Sequence, residues 1–107
     1  MKRRQLYIKG RRFENEARKL LEEAGWMVMR SAGSKGMFDL AAFGGHGCRL
    51  IQVKGRTATK AEREGMQLIA GIFPSSIHVE LWERTGPKQF AITRLNPVKK
   101  AVSDAPT

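Results

Sequence analysis

The stretch that decides the fold is residues 37–54, Met37-Phe38-Asp39-Leu40-Ala41-Ala42-Phe43-Gly44-Gly45-His46-Gly47-Cys48-Arg49-Leu50-Ile51-Gln52-Val53-Lys54. Two runs rich in β-formers, residues 37–43 and 48–54, flank the glycine-rich Gly44-Gly45-His46-Gly47, a pattern that predicts a hairpin. With those four residues as the loop, Phe43 faces Cys48 and Asp39 faces Gln52. Lys54, two residues beyond Gln52, projects from the same face. Cβ atoms of such cross-strand neighbours lie about 5 Å apart. An acid, an amide and an ammonium therefore converge at one end of an otherwise apolar hairpin. The convergence depends on the register, because a one-residue slip sends Asp39 to the face opposite Gln52 and Lys54. Both runs carry few polar residues on either face, which places them centrally in a sheet.

Working outward, residues 26–30 read as a preceding strand and residues 31–36, Ser31-Ala32-Gly33-Ser34-Lys35-Gly36, as a small polar loop; with the hairpin this makes a meander. Upstream, Phe13, Ala17, Leu20, Leu21 and Ala24 recur at the spacing of an amphipathic helix over residues 9–24, which Gly25 ends in the left-handed conformation. Downstream, Thr59-Lys60-Ala61-Glu62 fits the S/T-x-x-E capping box. Met66, Ile69, Ala70 and Phe73 continue that helix until Pro74 closes it. Ile77, Val79 and Leu81 alternate with His78, Glu80 and Trp82 as a half-buried strand. Thr85-Gly86-Pro87 turns the chain into a last strand over residues 89–93. The order α-β-β-β-α-β-β predicts an α/β domain, one mixed sheet flanked by helices, over residues 1–96, with residues 97–107 as a flexible tail.

Composition narrows the function classes. The 107 residues suffice for one core, and 41% hydrophobic content argues against a disordered basic tail. The single cysteine excludes an intrachain disulfide. No apolar run approaches the ~20 residues that cross a bilayer. The basic opening Met1-Lys2-Arg3-Arg4-Gln5 is not followed by an apolar stretch of signal-peptide length, so a cytoplasmic location is expected. A formal charge of +10 points to a polyanionic partner, nucleic acid before an anionic membrane. The basic residues are spread over several elements rather than along one amphipathic face, which disfavours the membrane. Lys2, Arg3, Arg4, Lys9, Arg11, Arg12 and the amino terminus concentrate positive charge at the start, as either a frayed solvated end or a phosphate-contacting arm.

Burying Asp39 and Lys54 without partners costs several kcal/mol. Two arrangements offset it. One is a structural ion pair with Gln52 hydrogen-bonded between the charges. The other is a divalent-metal site, with oxygen ligands from Asp39, the Gln52 amide and the Val53 carbonyl, and Lys54 beside it to orient or deprotonate water and neutralise developing charge. A second carboxylate would come from the first helix, where Glu14 and Glu16 flank the apolar stripe at almost equal distance and periodicity does not choose between them. The 31–36 loop offers backbone N–H and hydroxyl groups to a phosphate, although its Gly33-Ser34-Lys35 order is not that of a nucleotide-binding P-loop. Cys48 lacks metal-ligand spacing, His46 and His78 fit no catalytic triad, and Trp26 and Trp82 read as core or interface residues.

Asp39 followed by Gln52-Val53-Lys54 resembles the PD-(D/E)xK nuclease pattern. The wider set, Lys9-Gly10-Arg11-Arg12-Phe13-Glu14-Asn15-Glu16, Leu20-Leu21-Glu22-Glu23-Ala24-Gly25-Trp26, Arg30-Ser31-Ala32-Gly33-Ser34-Lys35-Gly36, Phe38-Asp39-Leu40 and Ile51-Gln52-Val53-Lys54, resembles the archaeal-type Holliday-junction resolvases over nearly the whole chain. The resemblance implies a restriction-endonuclease-like fold and a homodimer that cuts opposing strands of branched DNA using Mg²⁺, with Mn²⁺ as a substitute. It makes Glu14 the helix carboxylate and Asp39 the central metal ligand. It puts Gln52 where a glutamate usually stands and makes Lys54 the motif lysine. Arg30 and Ser34 become residues near the scissile phosphate; Lys9, Arg11, Arg12, Arg30, Ser34 and Lys35 fall on the DNA side. Phe38 replaces the proline of the motif, and Asn15 stands where relatives often carry arginine. Gln52 keeps an oxygen ligand but removes one negative charge, so a DNA-binding module with a weakened or inactive nuclease site is the alternative.

Overall fold

In a computed structural model of the chain, residues 2–31, 37–45 and 47–97 are described, residues 2–10 through their backbone alone. Among the described residues the order is α1 (Lys2–Glu23), β1 (Met27–Arg30), β2 (Leu40–Gly44), β3 (Gly47–Lys54), α2 (Lys60–Ala70), β4 (Ile77–Gly86) and β5 (Gln89–Arg94). The five strands form one sheet in the order β1-β2-β3-β4-β5. Only β3 and β4 pair in parallel, across the α2 connection. The sheet is thus mixed, with the element order read from the sequence.

Each helix covers one face. Phe13, Leu20, Ala17 and Leu21 of α1 pack with Leu40, Ala42, Ile51, Val53 and Trp82. Met66 and Ala70 of α2 pack with Val79, Leu81 and Leu95, flanked by Met37, Phe38 and Phe73. The alternation of Leu81 and Trp82 along β4 separates the two cores. No described helix is long and apolar enough to cross a membrane.

The local signals for the helix ends act as read. Gly25 adopts φ +97°; Trp26 N–H bonds Leu21 O and Gly25 N–H bonds Glu22 O, the paired bonds of a Schellman stop. Thr59 and Glu62 close the capping box in both directions. The bounds differ by more than one residue in three places. Helix α1 starts at Lys2 rather than at residue 9, because Lys, Arg, Gln and Leu are strong helix formers and the chain continues helically through Gly10. Helix α2 ends at Ala70, capped by Gly71; the Ile72 and Phe73 N–H groups then reach back only three residues, to Ile69 and Ala70. Strand β2 starts at Leu40 rather than at residue 37, because Met37 and Phe38 leave the ladder to pack under α2, with Phe38 edge-on to Phe73 at 5.9 Å.

Strand β4 is not half-buried. Val79 to Glu83 are buried on both faces, since β4 lies inside the sheet between β3 and β5. Its two buried acids are fully partnered. Glu80 accepts a bidentate Arg49 (2.7–3.1 Å) and the Trp82 indole N–H (2.9 Å). Glu83 accepts Arg63 (3.0 and 3.1 Å) and the Ala58 N–H (2.7 Å). The chain after β5 is anchored by buried Asn96, which accepts the Val79 N–H (2.7 Å) and donates to Ile77 O (2.6 Å) and Pro74 O (3.2 Å). Residues 98–107 lie outside the described residues.

Candidate active site

The hairpin register has Phe43 opposite Cys48 and Leu40 opposite Ile51. Gln52 and Lys54 therefore point away from the α1 face that Ile51 and Val53 occupy. Asp39 sits one step before the ladder begins. Its N–H donates to Ile51 O (2.8 Å), the register partner of Leu40, so the backbone has already left the ladder. Val53 N–H, the next β3 donor on that side, loses a strand partner, and the Asp39 carboxylate takes it (Val53 N to Oδ2, 2.8 Å). The same oxygen accepts Gln52 Nε2 at 3.1 Å. Backbone groups at i and i+2 of a strand face the same neighbour, so the Val53 carbonyl looks toward the Asp39 side as well.

Helix α1 brings the second acid. The Phe13 ring occupies the space that a Cβ on Gly55 would need, so α1 sits directly against the end of β3. Glu14, the next residue, meets Asp39. Burial raises the Glu14 pKa, and the Asp39 charge raises it further, against the opposing charges of Arg30 and Arg11. Burial also raises Asp39, offset by the Val53 N–H, by the Glu14 hydrogen bond and, least, by Lys54. Their mutual hydrogen bond raises Glu14 and lowers Asp39, so Glu14 is the donor when the pair shares a proton, and both carboxyls stand above their ordinary values. Glu16 also turns toward the sheet but meets Arg84 (2.9 and 3.1 Å) and the Lys88 N–H (3.2 Å) at the β4–β5 hairpin. Arg84 in turn lies over the Phe13 ring at 4.4 Å.

Of the two arrangements open to Lys54, the direct ion pair with Asp39 is not made. Its ammonium pairs with Glu62 (Nζ to Oε2, 3.3 Å) and reaches Asp39 only through its field. Glu62 also accepts a forked Arg56 guanidinium (3.0 and 3.1 Å) and the Thr59 N–H (2.9 Å). The Arg56 bonds, then the Thr59 N–H, hold the Glu62 carboxyl far below the usual carboxylate range. Sequence reasoning missed Arg56 entirely and read Glu62 only as a cap, although its capping role fixes it beside the end of β3. Arg30 and Arg11 bear electrostatically on Glu14, whereas exposed Arg12 bears on Glu16, on the other flank of α1. Ser34, Lys35 and the Lys9 side chain lie outside the described residues, as does His46.

The structure thus brings together Glu14, Asp39, Gln52 and the Val53 backbone, with Arg30 and Lys54 near. Two crowded, partly desolvated carboxylates with an amide and a carbonyl suit a hard divalent cation such as Mg²⁺. Among the described residues no three His, Cys, Asp or Glu side chains form a metal-holding group, and position 52 carries an amide. Gln52 turns its Nε2 toward Asp39, so its amide oxygen would join the two acids and the Val53 carbonyl around such an ion by a flip of the amide.

The profile of the archaeal Holliday junction resolvase family, Hjc, matches residues 5–71. Among solved structures the chain is similar to Archaeoglobus fulgidus Hjc, a Holliday junction resolvase from an archaeal hyperthermophile. The TM-score is 0.56 at 24% identity, covering 86% of this chain and 77% of that one. No curated protein sequence matches.

Proposed function

The chain belongs to the archaeal Holliday junction resolvase family, and from that premise we propose that it is a divalent-metal-dependent endodeoxyribonuclease that resolves four-way DNA junctions as a homodimer, in the cytoplasm. The observation that supports this reading most is the meeting of Glu14 and Asp39, two carboxyls pushed toward protonation at the end of β3. Such a pair costs stability in isolation and gains it from a cation. Glu14, Asp39, the Gln52 amide oxygen and the Val53 carbonyl would hold Mg²⁺ or Mn²⁺. When bound, the ion supplies Lewis-acid stabilisation of phosphate charge and acidifies a water.

The remaining work belongs to the chain. Arg30 and Arg11, whose charges already bear on Glu14, attract the scissile phosphate; Ser34 and Lys35 add loop contacts, and Lys9 and Arg12 track the flanking backbone. Lys54 offsets the charge that develops on the phosphate and orients the attacking water. Recognition is by shape and phosphate position, so affinity falls steeply with salt, by about 0.9 in log–log slope per phosphate neutralised.

The test is cleavage of branched and linear DNA with Mg²⁺, Mn²⁺ or chelator. Metal-dependent cutting of the branched substrate supports the reading; binding without cutting under every metal refutes it. The second reading, a junction-binding module with a weakened site, draws on Gln52, whose amide N–H points to Asp39 and whose neutral side chain leaves the ligand set one charge short. Calorimetry with Mn²⁺ decides between them, since absence of binding favours the module. Binding to anionic vesicles that exceeds DNA binding at equal salt would refute both.

A further inference from the structure

We propose that Glu62 is a positioning residue of this site: from the capped first turn of α2 it holds the Lys54 ammonium and the Arg56 guanidinium side by side, and Arg56 contacts a DNA phosphate next to the one cleaved. The inference rests on the nuclease reading above and adds two residues to it.

The Glu62 carboxylate is fixed from three directions. The Thr59 N–H donates to it at the start of α2 (2.9 Å), while the Glu62 backbone N–H returns a bond to the Thr59 hydroxyl (3.1 Å). Arg56 closes a fork on its two oxygens, and Lys54 reaches one of them. A capping box needs only the first of these. The other two spend a helix-end carboxylate on two cations that leave β3 within three residues of each other. Without Glu62, a four-carbon lysine stem at a strand end is free to sample many rotamers; with it, the ammonium is held where its field reaches Asp39. Arg56 is bound through one edge only. Nη1 serves Thr57 O (3.0 Å) and Glu62, and Nη2 gives one bond to Glu62. Its Nε–H and a second Nη2 hydrogen remain for an acceptor, and its side chain is 59% exposed. A phosphate oxygen is the acceptor that suits a planar guanidinium beside a nuclease lysine.

Glu62→Gln separates positioning from capping. Glutamine still accepts the Thr59 N–H, so the helix cap persists and the protein stays folded, its melting temperature lowered only by the small share that two partly exposed ion pairs contribute. Junction binding in chelator is as tight or tighter, because a negative charge is gone. Cleavage at saturating DNA and metal falls by about 10–100-fold, the usual effect of losing a group that orients a catalytic one. Wild-type turnover in Glu62→Gln overturns the assignment, and parallel loss of stability and binding reassigns Glu62 to the fold alone. Arg56→Ala, measured in chelator, lowers the slope of log K against log salt by about 0.9; an unchanged slope removes Arg56 from the DNA surface and overturns that half. If the wild-type chain cuts nothing with any metal, the nuclease reading fails by itself, and the Arg56 salt slope still decides whether the pair faces DNA.

Discussion

Strand β3 carries ionic chemistry at each end, and the two ends are completed to different degrees. Near its start, Arg49 forks onto Glu80, Glu80 also takes the Trp82 indole N–H, and the guanidinium lies 5.0 Å from the Trp26 ring and 5.6 Å from the Trp82 ring. His78 Nδ1 stands 3.5 Å from the same carboxylate. Each charge there has an opposite charge and a hydrogen-bond partner. Near its end, Asp39 faces another acid, and burial pushes both carboxyls toward protonation. The first arrangement is what a buried ion pair requires in order to be tolerated. On the function proposed above, a cation completes the second. On that reading, the unfinished end of the strand marks function and the finished end marks structure.

Substitutions at the two ends sharpen that contrast. Asp39→Ala has the largest expected effect: cleavage falls by at least about 10²–10³-fold, while the protein stays folded and junction affinity changes only a few-fold or tightens, read by single-turnover cleavage and by gel shift. Arg49→Ala does the reverse. It leaves Glu80 buried and unpaired and costs about 3–5 kcal/mol in denaturant unfolding, with loss of activity only in step with the folded fraction. Equal stability losses at the two sites would break the comparison.

Gln52→Glu tests the missing charge. Adding a third carboxylate tightens Mn²⁺ binding by on the order of tenfold in calorimetry and preserves or raises activity; weaker binding would show that position 52 is not a ligand. The smallest effect is in pH. Burial keeps Glu14 and Asp39 protonated to higher pH in the folded chain than in the unfolded one, so the folded state binds more protons. These groups therefore lower stability as pH rises from their ordinary values, 4.5 and 3.8, through their raised ones. Glu14→Gln flattens that stretch of the melting-temperature profile. Mn²⁺ raises the neutral-pH melting temperature of the wild type more than that of the variant.

These contrasts also explain what the sequence discloses. The hairpin was legible because a glycine-rich turn fixes register; Asp39 lies one step beyond the ladder and meets Gln52 through its side chain. The end of α1 and the cap of α2 were legible because both are local. The start of α1 was hidden by charge, which looks like a solvated end whether helical or not. Buried β4 was hidden because Glu80 and Glu83 imitate a solvent face; their partners Arg49 and Arg63 come from elements far away in sequence. Glu14 and Glu16 were indistinguishable by periodicity for a physical reason: both turn inward, to different partners. Lys54 was found, but its counter-ion was not, because one carboxylate was already accounted for as a cap.

The contact between Phe13 and Gly55 ties the chemistry to sequence drift. A methyl group at position 55 collides with the Phe13 ring, and relief by sliding the helix would carry Glu14 off its fellow acid. Position 55 can accept a larger residue only when position 13 shrinks in compensation, as in Gly55→Ala with Phe13→Leu. Lineages that diversify the outer surface of α1 freely should still inherit these two positions as a coupled unit, with the spacing of the acids as the inherited quantity.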